Sequence, residues 1–183
     1  MLSALQTRKL TRYFRVYDVD DDGVVGVRDF ERVLENLRVL HGVADDTPAL
    51  ARLRQAYVVR WDAVRRSADA DADGGVDLQE WLAYWDDVLA SEDRYAAEVA
   101  GLVDRLYSLF DTDDSGRIDV DEFCNFHGAY GLHAETSRRV FHALDQDGDG
   151  AITRDELTAA AHDFYRSDDP AAPGTDLYGP IEE

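Results

Sequence analysis

Asp111-Thr112-Asp113-Asp114-Ser115-Gly116-Arg117-Ile118-Asp119-Val120-Asp121-Glu122 and Asp145-Gln146-Asp147-Gly148-Asp149-Gly150-Ala151-Ile152-Thr153-Arg154-Asp155-Glu156 are two stretches of twelve residues built on one pattern. Oxygen-bearing side chains stand at positions 1, 3, 5, 9 and 12, glycine at 6 and isoleucine at 8. A hard divalent cation such as calcium takes about six to eight oxygens in flexible geometry, and a loop of this length can wrap one ion. Glycine at the sixth position supplies the sharp turn. The seventh residue offers its main-chain carbonyl, so its side chain is free to vary. The expected ligands are Asp111, Asp113, Ser115, Arg117 and Glu122 in one stretch, and Asp145, Asp147, Asp149, Ala151 and Glu156 in the other. Asp119 and Thr153 stand at position 9, where a ligand often acts through water. Ile118 and Ile152 are the expected partners in a short β-bridge between the two loops.

The same pattern occurs twice more, at 18–29 and 69–80. Asp69, Asp71, Asp73, Gly75 and Glu80 are the expected ligands of the second loop. Its entering helix is atypical, because Ala68 and Arg65 replace the apolar pair that precedes the other loops (Tyr17 and Phe14, Phe110 and Tyr107, Leu144 and Phe141). A misaligned, weakly binding loop is the competing reading there. The first loop offers Asp18, Asp20, Asp22, Val24 and Asp29. Asp29 closes it one methylene short of glutamate, and Gly26 at position 9 brings no side-chain oxygen. Fewer oxygens and a tighter cage favour magnesium, so altered affinity or selectivity is expected at this site. Val25 and Val76 are the expected bridge pair of these two loops.

Charge supports this reading. The chain has 183 residues and a net charge of -20, of which the four loops carry -18 and the other 135 residues only -2. Packed carboxylates repel one another and call for a compensating cation. So acidic a chain is repelled by nucleic acid and by anionic membrane surfaces. No run of about 18 apolar residues exists to span a bilayer. The first residues show no signal peptide and Leu2 excludes N-myristoylation, so a cytoplasmic location is expected. Cys124 is the one cysteine, which fits a reducing compartment, and reads as a small core residue. One lysine (Lys9) against 18 arginines suggests a GC-rich, bacterial gene.

Apolar residues flank each loop at helical spacing, as in Leu10, Tyr13, Phe14 and Tyr17 before the first, and Phe30, Trp81, Phe123 and Leu157 follow the loops. The loops begin 51, 42 and 34 residues apart. The first interval leaves room for a long helix over roughly 48–68, opened by Thr47 and Pro48. His41-Gly42 is expected to close the preceding helix, Ser91 to cap the third entering helix, and Gly128 and Gly131 to separate the third unit from the fourth. The tail from Asp168 holds three of the four prolines and reads as non-helical.

These units resemble EF-hands, and the whole chain resembles the sarcoplasmic calcium-binding proteins and their calerythrin-like bacterial relatives. The likeness rests on four hands, the long first connection, Asp29 at the end of the first loop, and the ending Ser167-Asp168-Asp169-Pro170 through Gly174, Leu177, Tyr178 and Gly179. It implies an all-α fold of four helix–loop–helix units in two pairs, packed face to face as one compact globule. It also implies that the first loop binds calcium despite Asp29, and a role in calcium buffering or signal modulation. Four intact loops depart from the group, in which one hand is often defective, so three or four ions are expected. The expected organisation is an N-terminal pair over 1–90, a C-terminal pair over 91–166, and a tail over 167–183, for which insertion of Leu177, Tyr178 and Ile181 between the halves is one reading and a frayed terminus the competing one.

Met1 is the one methionine, against 19 aromatic residues. Flexible methionines line the target grooves of calcium sensors, so a permanently packed buffer is favoured and a sensor that binds a target protein is the alternative. A photoprotein-like binder of a small molecule is the remote one. The five histidines form no catalytic motif, and no enzyme activity is expected. A monomer with calcium ions as its partners completes the expectation.

Overall fold

The computed structural model of the chain describes residues 1–40, 48–111 and 113–181. Helix α1 (Ala4–Tyr17) starts at Ser3, whose side chain accepts the Gln6 N–H while Gln6 returns the bond to the Ser3 N–H. Its stripe Leu10, Tyr13, Phe14 and Tyr17 is buried. Strand β1 (Val24–Val25) and helix α2 (Val27–Leu40) complete the first unit. The second comprises α3 (Pro48–Ala68), β2 (Val76–Asp77) and α4 (Leu78–Ala90). The third comprises α5 (Glu92–Phe110), β3 (Ile118–Asp119) and α6 (Val120–Ala129), and the fourth α7 (Ala134–Leu144), β4 (Ala151–Ile152) and α8 (Arg154–Arg166). The long helix over 48–68 is thus present, with proline at its first residue. Ser91 caps α5 by accepting the Arg94 N–H. The expected features at His41-Gly42 and Thr47 lie outside the described residues.

The loops pair as their apolar eighth residues suggest. β1 and β2 are antiparallel with Val25 opposite Val76, and β3 and β4 are antiparallel with Ile118 opposite Ile152. All four of these side chains are buried. The second loop is therefore in register with the first, whatever its entering helix lacks.

Aromatic rings join the two pairs. Tyr13 of α1 meets Phe164 of α8 edge-on at 6.1 Å, and Trp85 of α4 stacks on Tyr165 of α8 at 4.5 Å. The Trp81 indole N–H donates to the Leu10 carbonyl at 3.0 Å in the interior. Asn36 of α2 donates to the Ala129 carbonyl at the end of α6. These contacts pack the four units into one body.

Three expectations need correction. Gly128 lies within α6, so the break between third and fourth units falls at Gly131, which has φ +81°. Cys124 is half-buried rather than in the core, on the side of α6 that faces Ala134. The tail is not α-helical, but it does form one turn of 3-10 helix over Pro173–Asp176. Gly174 brings that turn against α8 so closely that a Cβ would lie 2.2 Å from the Ala160 carbonyl oxygen. Tyr178 then stacks on Tyr13 at 4.0 Å, its carbonyl accepts from Arg12 Nε, and Leu177 is buried.

Candidate metal centres

Each loop is organised by its own acidic side chains before any ion is considered. The first aspartate accepts two N–H groups further along: Asp18 from Asp22 and Gly23, Asp111 from Ser115 and Gly116, and Asp145 from Asp149 and Gly150. Asp69 accepts the Gly74 N–H at 3.2 Å. These bonds curl the backbone around the aspartate. The sixth-position glycines, Gly23, Gly74, Gly116 and Gly150, lie at φ between +78° and +96°, where a side chain is strained.

The ninth and twelfth residues join loop to exiting helix. Asp77, Asp119 and Thr153 are the N-caps of α4, α6 and α8, and each forms a reciprocal capping box with Glu80, Glu122 or Glu156. One carboxylate oxygen of Glu80 takes the Ala70 N–H at 2.7 Å and the other takes the Asp77 N–H at 3.0 Å. Glu156 does the same with Gln146 and Thr153. Asp29 reproduces this arrangement despite its shorter chain, accepting the Val19 N–H at 2.9 Å and the Gly26 N–H at 2.8 Å. Asp29 is buried, and burial holds its pKa above the ordinary carboxylate value against those two bonds. Burial also pushes Glu156 up, but the Thr153 and Gln146 bonds outweigh it and leave its pKa lowered.

Carboxylates converge in each loop. Asp18, Asp20 and Asp22 offer oxygens within 4.8 Å of one another, as do Asp69, Asp71 and Asp73; in the other loops the converging groups are Asp111, Asp113 and Glu122, and Asp145, Asp147 and Glu156. The closing residue belongs to the group in the last two loops, whereas the fifth residue takes that place in the first two. Ser115 Oγ donates to the Arg117 carbonyl, and Asp149 faces Arg117. The seventh residues lie at the strands: Val24 and Ala151 within β1 and β4, Gly75 and Arg117 immediately before β2 and β3. Asp20 Oδ1 and Asp69 Oδ1 are buried and without a hydrogen-bond partner. A buried, unpaired carboxylate oxygen is costly and calls for an unseen ion or water. The donor set, all oxygen and mostly anionic, fits a hard divalent cation. Two details were not anticipated. Glu80, Glu122 and Glu156 at the twelfth position also serve the caps of their exiting helices, a role visible in the spacing of positions 9 and 12. The Arg117–Asp149 contact had no sequence signal, because it joins residues of different loops.

A family profile described as an EF-hand domain pair matches residues 7–126, and one for a single EF-hand domain matches 137–165. The chain belongs to the EF-hand family. Among curated relatives of this EF-hand protein, calerythrin of Saccharopolyspora erythraea is 22% identical over 167 residues, covering 90% of this chain and 94% of its own. Among solved structures, a sarcoplasmic calcium-binding protein from amphioxus superposes with a TM-score of 0.76 at 19% identity, with both chains fully covered. The calcium-loaded apo form of the coelenterazine-binding protein from Renilla muelleri gives 0.78 at 22% identity, covering 98% of this EF-hand chain and 100% of that one. At these identities the superpositions establish a common fold. Among the described residues, no helix is long and apolar enough to cross a membrane.

Proposed function

We propose that this EF-hand protein binds calcium in its four loops and acts as a cytosolic buffer or modulator. The proposed side-chain ligands are Asp18, Asp20, Asp22 and Asp29; Asp69, Asp71, Asp73 and Glu80; Asp111, Asp113, Ser115 and Glu122; and Asp145, Asp147, Asp149 and Glu156. The carbonyls of Val24, Gly75, Arg117 and Ala151 complete the sets. The buried, unpartnered oxygens of Asp20 and Asp69 support occupancy of the first two loops, including the second with its atypical entering helix. Asp29, short and deeply buried, supports a tighter first site shared with magnesium. We assign the N-terminal pair to 1–90, the C-terminal pair to 91–166 and a cleft-filling tail to 167–183.

The observation that favours buffering is the fate of the apolar helix faces. A sensor must open a groove for its target, but here Tyr13, Trp81, Trp85, Phe164 and Tyr165 pack on one another and on Tyr178 of the tail. Calcium titration calorimetry, with and without magnesium, tests the reading. Three or four ions should bind, and magnesium should weaken calcium uptake at one site more than at the others. Chelation should lower the midpoint of thermal unfolding, because the loops then carry -18 without compensation. Dye binding tests the choice of role: little calcium-dependent change is expected, and a large rise would replace the buffer with a sensor.

A further inference from the structure

The two C-terminal loops touch through side chains as well as through β3 and β4. Arg117, seventh in the third loop, reaches across the pair and forms an ion pair with Asp149, fifth in the fourth loop. The other Asp149 oxygen accepts the Ala151 N–H at 3.1 Å. The corresponding residues Asp22 and Asp73 accept the Val24 and Gly75 N–H groups in the same way, yet both belong to the converging carboxylates of their loops. In the fourth loop that group is Asp145, Asp147 and Glu156. The difference is the guanidinium: the seventh residues of the other loops are Val24, Gly75 and Ala151, which carry no charge.

Arg117 is tied to its own loop too. Its carbonyl accepts the Ser115 hydroxyl at 2.9 Å. Tyr107 braces the joint, because its hydroxyl donates to the Gly116 carbonyl and lies 3.4 Å from the Ile152 carbonyl, one in each loop. The Arg154 guanidinium covers the Tyr107 ring at 4.6 Å. Phe14, Arg65 and Phe141 stand four residues before the other loops, so this hydroxyl brace belongs to the C-terminal pair.

We propose that Arg117 is a positioning residue that restrains cation uptake by the fourth loop, holding Asp149 away from the other carboxylates until an ion competes for it. The inference rests on the metal-binding reading. It makes one residue serve both sites, with its carbonyl in the third ligand set and its side chain on a ligand of the fourth. The pair is partly exposed, with side-chain exposures of 47% and 37%. An exposed ion pair is worth little, so its loss should change affinity by about two- to fivefold.

The experiment is a calcium titration of the full chain followed by amide NMR. Gly116 and Gly150 donate to Asp111 and Asp145 at 2.9 and 3.0 Å, so their N–H signals report the third and fourth loops separately. Arg117→Gln should tighten the Gly150 response about two- to fivefold. In an Asp149→Asn background the same change should have no effect on that response. Arg154→Gln removes an equal charge from the fourth loop, but its ion pair is with Asp104, so its effect should be the smaller one. The proposal is overturned if Arg117→Gln leaves the Gly150 curve unchanged. It is equally overturned if the gain persists in the Asp149→Asn background or is matched by Arg154→Gln, since charge repulsion alone then accounts for it. A Gly150 signal that ignores calcium in the unaltered chain overturns the metal-binding reading itself.

Discussion

Ala72 holds φ +61° at the fourth position of the second loop, where the other loops place Asp21, Asp114 and Gly148. All four backbones are left-handed there. Aspartate tolerates that region and glycine enters it freely, but alanine has neither a local hydrogen bond nor a missing Cβ to relieve the clash. Ala72→Gly is therefore expected to stabilise the protein by about 0.5–1 kcal/mol in urea denaturation, and Gly148→Ala to destabilise it by a similar amount. His127 carries a different conflict. It is fully buried beside Phe123, at 4.2 Å between ring centroids, and its Nδ1 has no partner. Burial, with Arg12 adding to it and a bond to the Leu177 backbone opposing, lowers its pKa from 6.5 to about 3. The unfolded chain then takes up a proton that the folded chain refuses. His127's contribution is fully present above pH 6.5 and is lost as pH falls toward about 3. The loss is roughly 1.4 kcal/mol per pH unit within that window. His127→Phe should flatten the acid side of the stability profile, measured by denaturant midpoints between pH 7 and 4.

The exiting helices show how a loop and a helix start share residues. Asp119 accepts the N–H groups of Asp121 and Glu122, and Glu122 returns a bond to the Asp119 N–H. Asp119→Ala should cost about 1 kcal/mol of stability from the lost cap, read by thermal or urea unfolding in the presence of chelator. Chelator matters, because it separates the cap from any effect on the ion. Elements of this kind were legible in the sequence for a physical reason. A loop that must turn at glycine and bring oxygens to fixed positions tolerates few residue types, so Asp69 to Glu80 could be read even behind an atypical helix. The bridge partners Ile118 and Ile152 followed from the same register. What escaped was set by contacts between distant segments. Gly128 reads as a helix breaker, but α6 continues through it because Phe126 and Ala129 on either side are buried. Cys124 lies on an amphipathic stretch, yet which edge of that stretch faces outward depends on where α7 sits. The left-handed Ala72 was invisible because alanine carries no turn signal.

Across the whole molecule, the tail is bound to both halves of the chain. From α1, Arg12 donates to the Tyr178 carbonyl, and the buried Lys9 ammonium donates to the carbonyls of Asp163 and Ser167, at 2.8 and 2.9 Å, where α8 gives way to the tail. The Asp163 carbonyl already accepts the Ser167 N–H at 3.2 Å, and Ser167 is the C-cap of α8, so the ammonium closes the end of that helix. Lys9 is therefore a helix cap supplied from another unit, and burial lowers its pKa while the surrounding Asp163, Asp168, Asp169 and Asp176 raise it. From the C-terminal half, Phe164 meets the Tyr178 ring edge-on at 4.9 Å, and the hydroxyls of Tyr165 and Tyr178 lie 3.3 Å apart. Tyr178 thus fills a space bounded by α1 and α8, which belong to the first and last units. Tyr178→Ala should cost about 3–5 kcal/mol, since a buried ring is lost and leaves a cavity. Tyr178→Phe should cost only about 0.5–1.5 kcal/mol, the net value of one hydrogen bond. Deleting residues 168–183 removes Leu177 and Tyr178 together and uncovers Tyr13 and Tyr165. The expected result is a lower unfolding midpoint and dye binding that appears with calcium already bound. An unchanged midpoint and unchanged dye binding would mean that the aromatic interior closes without the tail, and the tail would then be a passenger on a core that the four units complete alone.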